Sequence, residues 1–238
     1  MNKNIELNHF NDLAQEWWKT NGKFKVLHKI NPIRIDYILN HINIRNKSSN
    51  NPLKGLTFLD LGCGGGLTSE PLAKLGAKVT GIDFVANNIK IAREHSKISN
   101  LKIKYIKQDL DSLNLETKYD VILLLEVIEH LSDWKSILNY IKNYLKKDGI
   151  IILSTINKTI LSKILVINVA ENYLNWIPKN THQYKKFVKP SQLTKYFTKI
   201  NFKVIDITGL VFNPLINQWQ LSKNMNKVNY FFTAKKIN

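Results

Sequence analysis

The sequence predicts an α/β protein built on a doubly wound, mostly parallel sheet of seven strands, with helices at its N-terminus and a helical lid inserted late. Three observations predict it. Five apolar runs, TFLDLG (57–62), KVTGID (78–83), KIKYIK (102–107), DVILLL (120–125) and IIILST (150–155), alternate with stretches of helical spacing. The strongest of these runs are continuous Ile, Val and Leu rather than in-out alternation, the pattern of strands buried on both faces. The first run leads through LDLGCGGG (59–66), a glycine-rich turn, into a helical stretch.

Residues 9–42 read as helical, with Phe10, Leu13, Trp17 and Trp18 on one face and a break at Asn21-Gly22. A second helix is expected from Pro32, which suits a first turn, with Ile35, Ile38 and Leu39 following at helical spacing. The polar stretch NIRNKSSNNPLKG (43–55) reads as a linker. After the five strands, NFKVIDITGLVFNP (201–214) and VNYFFTAKK (228–236) supply two more. Between them and the fifth strand lies 159–190, longer than a simple crossover needs, with Tyr173, Trp176 and a basic tail. Two readings stand for that insertion: packed helices covering the substrate side of the sheet, or a lid that also touches lipid. No internal repeat is present, and the chain is expected to form a single domain over 1–238, its first 55 residues a helical extension.

The chain has 238 residues, 44% of them hydrophobic, enough for a real core. One cysteine, Cys63, cannot form an internal disulfide, and the start MNKNIELNHF lacks a secretory apolar stretch, so a reducing cytoplasm is expected. No run reaches the ~18–20 apolar residues of a spanning helix. Lys plus Arg number 35 against 18 Asp plus Glu, a formal charge of +17. Such a balance invites a nucleic-acid reading. Only Arg34, Arg45 and Arg93 are arginines, however, whereas base and phosphate recognition favours the bidentate guanidinium. The excess of Lys with Asn and Ile fits an AT-rich coding bias, with an anionic membrane surface the next explanation and nucleic acid the third.

The glycine-rich turn carries the chemistry. A dinucleotide loop needs Gly at 62, 64 and 67, but position 67 is Leu67. The glycines fall instead at Gly62, Gly64 and Gly66, with Asp60 two residues ahead, the spacing of the first motif of S-adenosylmethionine-dependent methyltransferases. Asp83 ends the second strand 23 residues after Asp60, where an acid accepts both ribose hydroxyls of an adenosine. Asp109 follows the third strand and is placed for the adenine amino group, or is a solvated turn aspartate. Leu125 ends the fourth strand, lining the adenosine or methionine side or belonging to the core.

Methyl transfer from a sulfonium needs an in-line nucleophile and, for a weak one, a group to take its proton. EVIEH places Glu126, Glu129 and His130 at i, i+3 and i+4, one face if the segment is helical. Two carboxylates and an imidazole can hold a divalent cation, magnesium rather than zinc, and so lower a phenolic pKa from about 10. Equally, Glu126 and Glu129 can orient the cofactor or cap a helix, with His130 a base or a structural donor. His182, in THQYKK, is a further candidate base or substrate contact, or a solvated loop histidine.

The string EWWKTNGKFKVLHKINPIRIDYI (16–38), LDLGCGGG, EVIEH, IPKNTHQYKKFVKP (177–190) and ITGLVFNP (207–214) with VNY (228–230) together resemble the ubiquinone-biosynthesis O-methyltransferase family. The resemblance runs nearly end to end. It implies a Rossmann-like class I methyltransferase that methylates 2-polyprenyl-6-hydroxyphenol and 3-demethylubiquinol, cytoplasmic and peripherally associated with the inner membrane. It also implies cofactor contacts at Arg34, Gly62, Asp83 and Leu125, the guanidinium pairing with the methionine carboxylate. Eukaryotic relatives use magnesium through the acids and histidine of EVIEH, which would assign Glu126, Glu129 and His130 as ligands. Expected partners are the polyprenylated phenol or quinol, an anionic membrane and other proteins of the same pathway, and no nucleic acid. Two departures are KKDGI (146–150) in place of a Pro-Gly-Gly turn, and Leu125 where methionine is common. A tRNA or rRNA methyltransferase is the alternative, but LLLEVIEH (123–130) stands where a base-methylating Asn-Pro-Pro-Tyr motif would fall. A non-catalytic cofactor-binding scaffold is the third reading.

Overall fold

The computed structural model describes residues 3–42, 50–167 and 183–237. Two compact units divide the chain, Met1–Leu123 and Leu124–Asn238. The first carries helices α1 (Lys3–Leu13), α2 (Lys25–His41), α3 (Ser69–Lys74) and α4 (Ala86–Ile98), with strands β1 (Thr57–Leu61), β2 (Lys78–Asp83) and β3 (Lys104–Lys107) and most of β4 (Tyr119–Leu125). Strand β1 pairs in parallel with both β2 and β4, and β2 with β3. Four of the five residues of β1 are buried, as a strand covered on both faces requires. Asp60 sits opposite Gly81 and Leu61 opposite Ile82, which brings the ends of β1 and β2 level beside the glycine-rich turn.

The second unit holds α5 (Trp134–Ile141), β5 (Leu145–Ile156), the short α6 (Ile160–Ser162), α7 (Pro190–Lys199), β6 (Phe202–Asn213), β7 (Gln218–Ser222) and β8 (Asn229–Lys236). Its strands are antiparallel: β8 pairs with both β5 and β6, and β6 with β7. Aromatic side chains fill its interior, Phe197 packing against Phe202 and Phe232.

The α/β class and parallel strands agree with the sequence, and four details do not. The described residues hold eight strands rather than seven, because β7 folds back on β6. Its QWQLS is short and its residues are exposed or half-buried, so it carries no apolar signature. Helix α2 begins at Lys25, not Pro32, and takes the proline into its interior. Strand β5 begins at Leu145 and runs through the KKDGI segment, which bends at Asp148 with a φ of 60°. Part of the expected linker is built in, since Leu53 is fully buried and its amide donates to the Leu75 carbonyl. Of the 159–190 insertion, residues 168–182 lie outside the described residues, and with them Tyr173, Trp176 and His182. Among the described residues no helix is long and apolar enough to cross a membrane.

Candidate cofactor site and catalytic turn

The glycine-rich turn is built by the backbone. Three of its four glycines have positive φ, 72° at Gly62, 53° at Gly64 and 87° at Gly66. At two of them the need for glycine is steric as well as conformational. A Cβ on Gly64 would lie 2.3 Å from the indole of Trp17, and one on Gly66 would lie 2.3 Å from the Tyr105 hydroxyl. The turn is held by the neighbouring strand, the amides of Gly62 and Cys63 both donating to the Ile82 carbonyl at 2.8 and 3.0 Å.

Asp83, at the end of β2, faces this turn. Its Oδ2 accepts from the Gly64 amide at 2.9 Å; Oδ1 accepts from the Val85 amide at 2.8 Å and from Asn88 Nδ2 at 3.3 Å. Burial pushes its carboxyl up to about 6, against the pull of those three donors. Asp60, buried on β1, accepts from Ser69 Oγ at 2.6 Å. Burial also pushes Asp60 up to about 6, while Ser69 and the charge of Arg34 pull it down.

Helix α2 presents Ile30, Asn31, Arg34, Tyr37 and Ile38 as its buried face, the i, i+3, i+4 spacing of an amphipathic helix. Asn31 docks that face on the start of α3. Its Nδ2 donates to the Leu67 carbonyl at 2.8 Å and its Oδ1 accepts from Thr68 Oγ1 at 3.1 Å. Arg34 lies one turn further on, 4% exposed, with its charge acting on Asp60. Gly62, Gly64, Asp60, Asp83 and Arg34 thus belong to one locality of the first unit. Asp109 has a local role: it caps a one-turn 3₁₀ helix, its Oδ1 accepting from the Asp111 amide at 3.1 Å.

The EVIEH segment, in the second unit, is not a helix. It leaves β4 at the half-buried Leu125, bends at Glu126 with a left-handed φ of 56°, and closes as a turn in which the His130 amide donates to the Val127 carbonyl. The shared helical face predicted for Glu126, Glu129 and His130 is therefore absent. Each side chain has its own surroundings. Glu126 Oε1 accepts from Ser154 Oγ at 2.6 Å and its Oε2 from Asn229 Nδ2 at 3.4 Å. Glu129 is buried, with Oε2 accepting from Thr155 Oγ1 at 2.8 Å, and its charge helps burial raise the Tyr230 hydroxyl. His130 is half-buried and its carbonyl accepts from Lys186 Nζ at 2.7 Å. Among the described residues no group of three or more His, Cys, Asp or Glu side chains is placed to hold a metal ion. Glu126, Glu129 and His130 are thus not gathered into a magnesium-holding group, and the metal assignment finds no support in this turn.

Sequence reasoning missed Trp17 as a contact of the glycine turn, Asn88 as a partner of Asp83, and Ser154, Thr155 and Asn229 as partners of the EVIEH turn. Only Trp17 left a signal, being part of the distinctive EWWK string. The others are ordinary polar residues joined to their partners by tertiary pairing.

The chain matches a methyltransferase-domain family model over residues 36–207. It is 43% identical to a ubiquinone biosynthesis O-methyltransferase of Rhizobium leguminosarum bv. trifolii over 97% of this chain and 93% of that protein. It is 44% identical to a protein of the same name from Pelagibacter ubique over 94% of each chain. Among solved structures, magnesium protoporphyrin IX methyltransferase from Synechocystis PCC 6803 with bound SAH superposes with a TM-score of 0.71 at 19% identity, covering 99% of this chain and 100% of that one. A methyltransferase from Thermotoga maritima described as a possible histamine N-methyltransferase gives a TM-score of 0.70 at 15% identity, covering 98% of this chain and 100% of that one. At those identities the superpositions establish the fold.

Proposed function

Because the chain belongs to the ubiquinone-biosynthesis O-methyltransferase family, we propose that it methylates phenolic hydroxyls of polyprenylated catechol and quinol intermediates with S-adenosylmethionine as donor. The observation that carries the reading is the cradle of Gly62, Gly64 and Gly66 with Asp83 bonded to the Gly64 amide. When bound, the cofactor supplies a methyl group already activated on a sulfonium. The residues of the chain bind, orient and move a proton. Asp83 accepts the ribose hydroxyls, Arg34 pairs with the methionine carboxylate, and the glycine turn lets the backbone approach closely. Asp109 borders the adenosine.

The phenolic oxygen attacks the methyl carbon as the carbon–sulfur bond breaks, its electron pair going to sulfur, and the phenolic proton must leave. A free phenol holds that proton to about pH 10. We assign Glu126 and His130 as the groups that receive it, with His182 a further candidate outside the described residues. Glu126 suits the role because Ser154 and Asn229 fix its carboxylate.

The same reading extends to the membrane. Ile160, Leu161, Ile164, Leu165 and Met225 are all exposed. They lie on segments tied together by Thr159 Oγ1 donating to the Lys227 carbonyl and Asn157 Nδ2 to the Asn226 carbonyl. Lys158, Lys163 and Lys227 belong to the same segments, Lys158 Nζ donates to the Lys185 carbonyl at 2.9 Å, and apolar surface with lysines is what an anionic bilayer face attracts. The polyprenyl tail of the substrate resides in such a bilayer, so we place the enzyme at the cytoplasmic face of the inner membrane.

The test is transfer of labelled methyl from S-adenosylmethionine to a short-chain demethylubiquinol, beside an RNA acceptor. An O-methylated quinol and unlabelled RNA are expected, with a rate unchanged by EDTA. Label in RNA alone would favour the nucleic-acid alternative, and a rate lost to EDTA and restored by magnesium would return a metal to the mechanism.

A further inference from the structure

Residues 14–24, between α1 and α2, form a strap across the glycine turn. Its Trp17 indole lies against Gly64 and Gly65, so close that a Cβ on Gly65 would fall 2.5 Å from it. The ring stacks on Phe24 with centroids 4.0 Å apart, and its Nε1 donates to Asn88 Oδ1 at 2.8 Å. Asn88 is buried, and through its other amide atom it donates to Asp83. The next residue grips the same turn: Trp18 Nε1 donates to the Gly65 carbonyl at 2.9 Å. The Trp18 ring is stacked on His95, whose Nδ1 is 2.6 Å from Oε1 of the fully buried Glu70.

We propose that Trp17 and Asn88 are positioning residues for the cofactor, joining the N-terminal strap to the acid that receives the ribose, so that strap closure and cofactor binding reinforce each other. The chemistry is specific. An ionised carboxylate offers about four acceptor sites, and Asp83 already uses one each for Gly64, Val85 and Asn88. Two ribose hydroxyls need two sites. The longest of the three bonds, from Asn88, is the one that gives way or is shared. Asn88 then remains held by Trp17, which keeps its amide beside the ribose instead of letting it swing out. Trp17 in turn fixes the backbone of Gly64 and Gly65. Neither residue touches the reacting methyl group.

The inference rests on the cofactor reading, and the experiment separates the two. S-adenosylhomocysteine is titrated calorimetrically into the full-length wild type and into the Trp17→Phe, Trp17→Ala and Asn88→Leu variants. Amide exchange of residues 14–24 is followed with and without this ligand. In the wild type the ligand is expected to slow exchange in the strap. Trp17→Phe removes one hydrogen bond and Asn88→Leu removes two, and each is expected to weaken binding at least about fivefold at unchanged stoichiometry. Trp17→Ala also removes the ring and is expected to weaken binding further, and Asn88→Leu abolishes the ligand-dependent protection. If Trp17→Ala fails to fold, the other two variants still decide. A Kd within twofold of wild type, or tighter, in both would overturn the proposal, as would strap exchange indifferent to the ligand. Wild-type protein that takes up no S-adenosylhomocysteine would overturn the cofactor reading and the strap with it.

Discussion

The two units organise function differently. In Met1–Leu123 the important atoms are backbone amides and the acids at strand ends: Gly62 and Cys63 are held by Ile82, and Gly64 by Asp83. In Leu124–Asn238 the important atoms are side chains set by residues distant in sequence, Glu126 by Ser154 and Asn229, and Glu129 by Thr155. A site made from a turn travels with its motif. A site made from cross-strand hydroxyls exists only once β5 and β8 have paired. The first unit should therefore answer to substitution in binding, and the second in turnover.

The largest expected effect breaks the second half alone. Glu126→Gln keeps the shape of the side chain but removes its basicity, so kcat is expected to fall at least about a hundredfold with the KM for S-adenosylmethionine unchanged. A fall in cofactor affinity instead would mean that the two kinds of site are not separable. The converse is Asp83→Asn, which removes charge-assisted bonds to two ribose hydroxyls and is expected to weaken S-adenosylhomocysteine binding about a hundredfold by calorimetry. Folding stability should fall as well, since an asparagine has one acceptor oxygen where Asp83 uses two to take the Gly64 and Val85 amides. Gly64→Ala puts a Cβ into a left-handed position against Trp17 and should cost about 2 kcal/mol in denaturant unfolding. An alanine tolerated there without loss would show that the turn and strap are not packed as described.

The pH dependence is gentler. With burial pushing Asp83 up to about 6, its protonated form turns one oxygen into a donor and offers the ribose fewer, uncharged acceptor sites. S-adenosylhomocysteine affinity is expected to be flat above about pH 7 and to weaken by up to tenfold per unit below 6. Stability of the ligand-free protein runs the other way. Asp60 and Asp83 are raised from 3.8 to about 6, so the folded state binds more protons than the unfolded chain, and their contribution falls as pH rises from about 4 through 6. Calorimetry and thermal unfolding across that range read the two trends separately. Smallest is the surface effect: Ile164→Asp with Lys163→Glu should reduce pelleting with anionic liposomes and leave the cofactor Kd within twofold of wild type.

The same contrast explains what was legible beforehand. LDLGCGGG and Asp83 were readable because a parallel strand, a glycine turn and a helix are consecutive in sequence, and steric need leaves glycine little substitute at 64 and 66. EVIEH was readable as a cluster of chemistry but not as a shape. Helical spacing was a natural inference from Glu126, Glu129 and His130, yet the chain turns left-handed at Glu126, whose backbone amide is taken by the Ser154 carbonyl at 3.0 Å. Nothing within five residues of the motif announces Ser154. The early start of α2 was hidden by Pro32, which reads as a first-turn residue and here lies inside the helix. Strand β7 was hidden by its exposure.

The cofactor cradle is the premise on which the rest stands, and one titration tests it most directly. S-adenosylhomocysteine added to the wild-type protein at pH 7.5 should bind with one site per chain and lose most of its heat in Asp83→Asn. Absence of binding in the wild type, or equal binding in Asp83→Asn, would contradict the account.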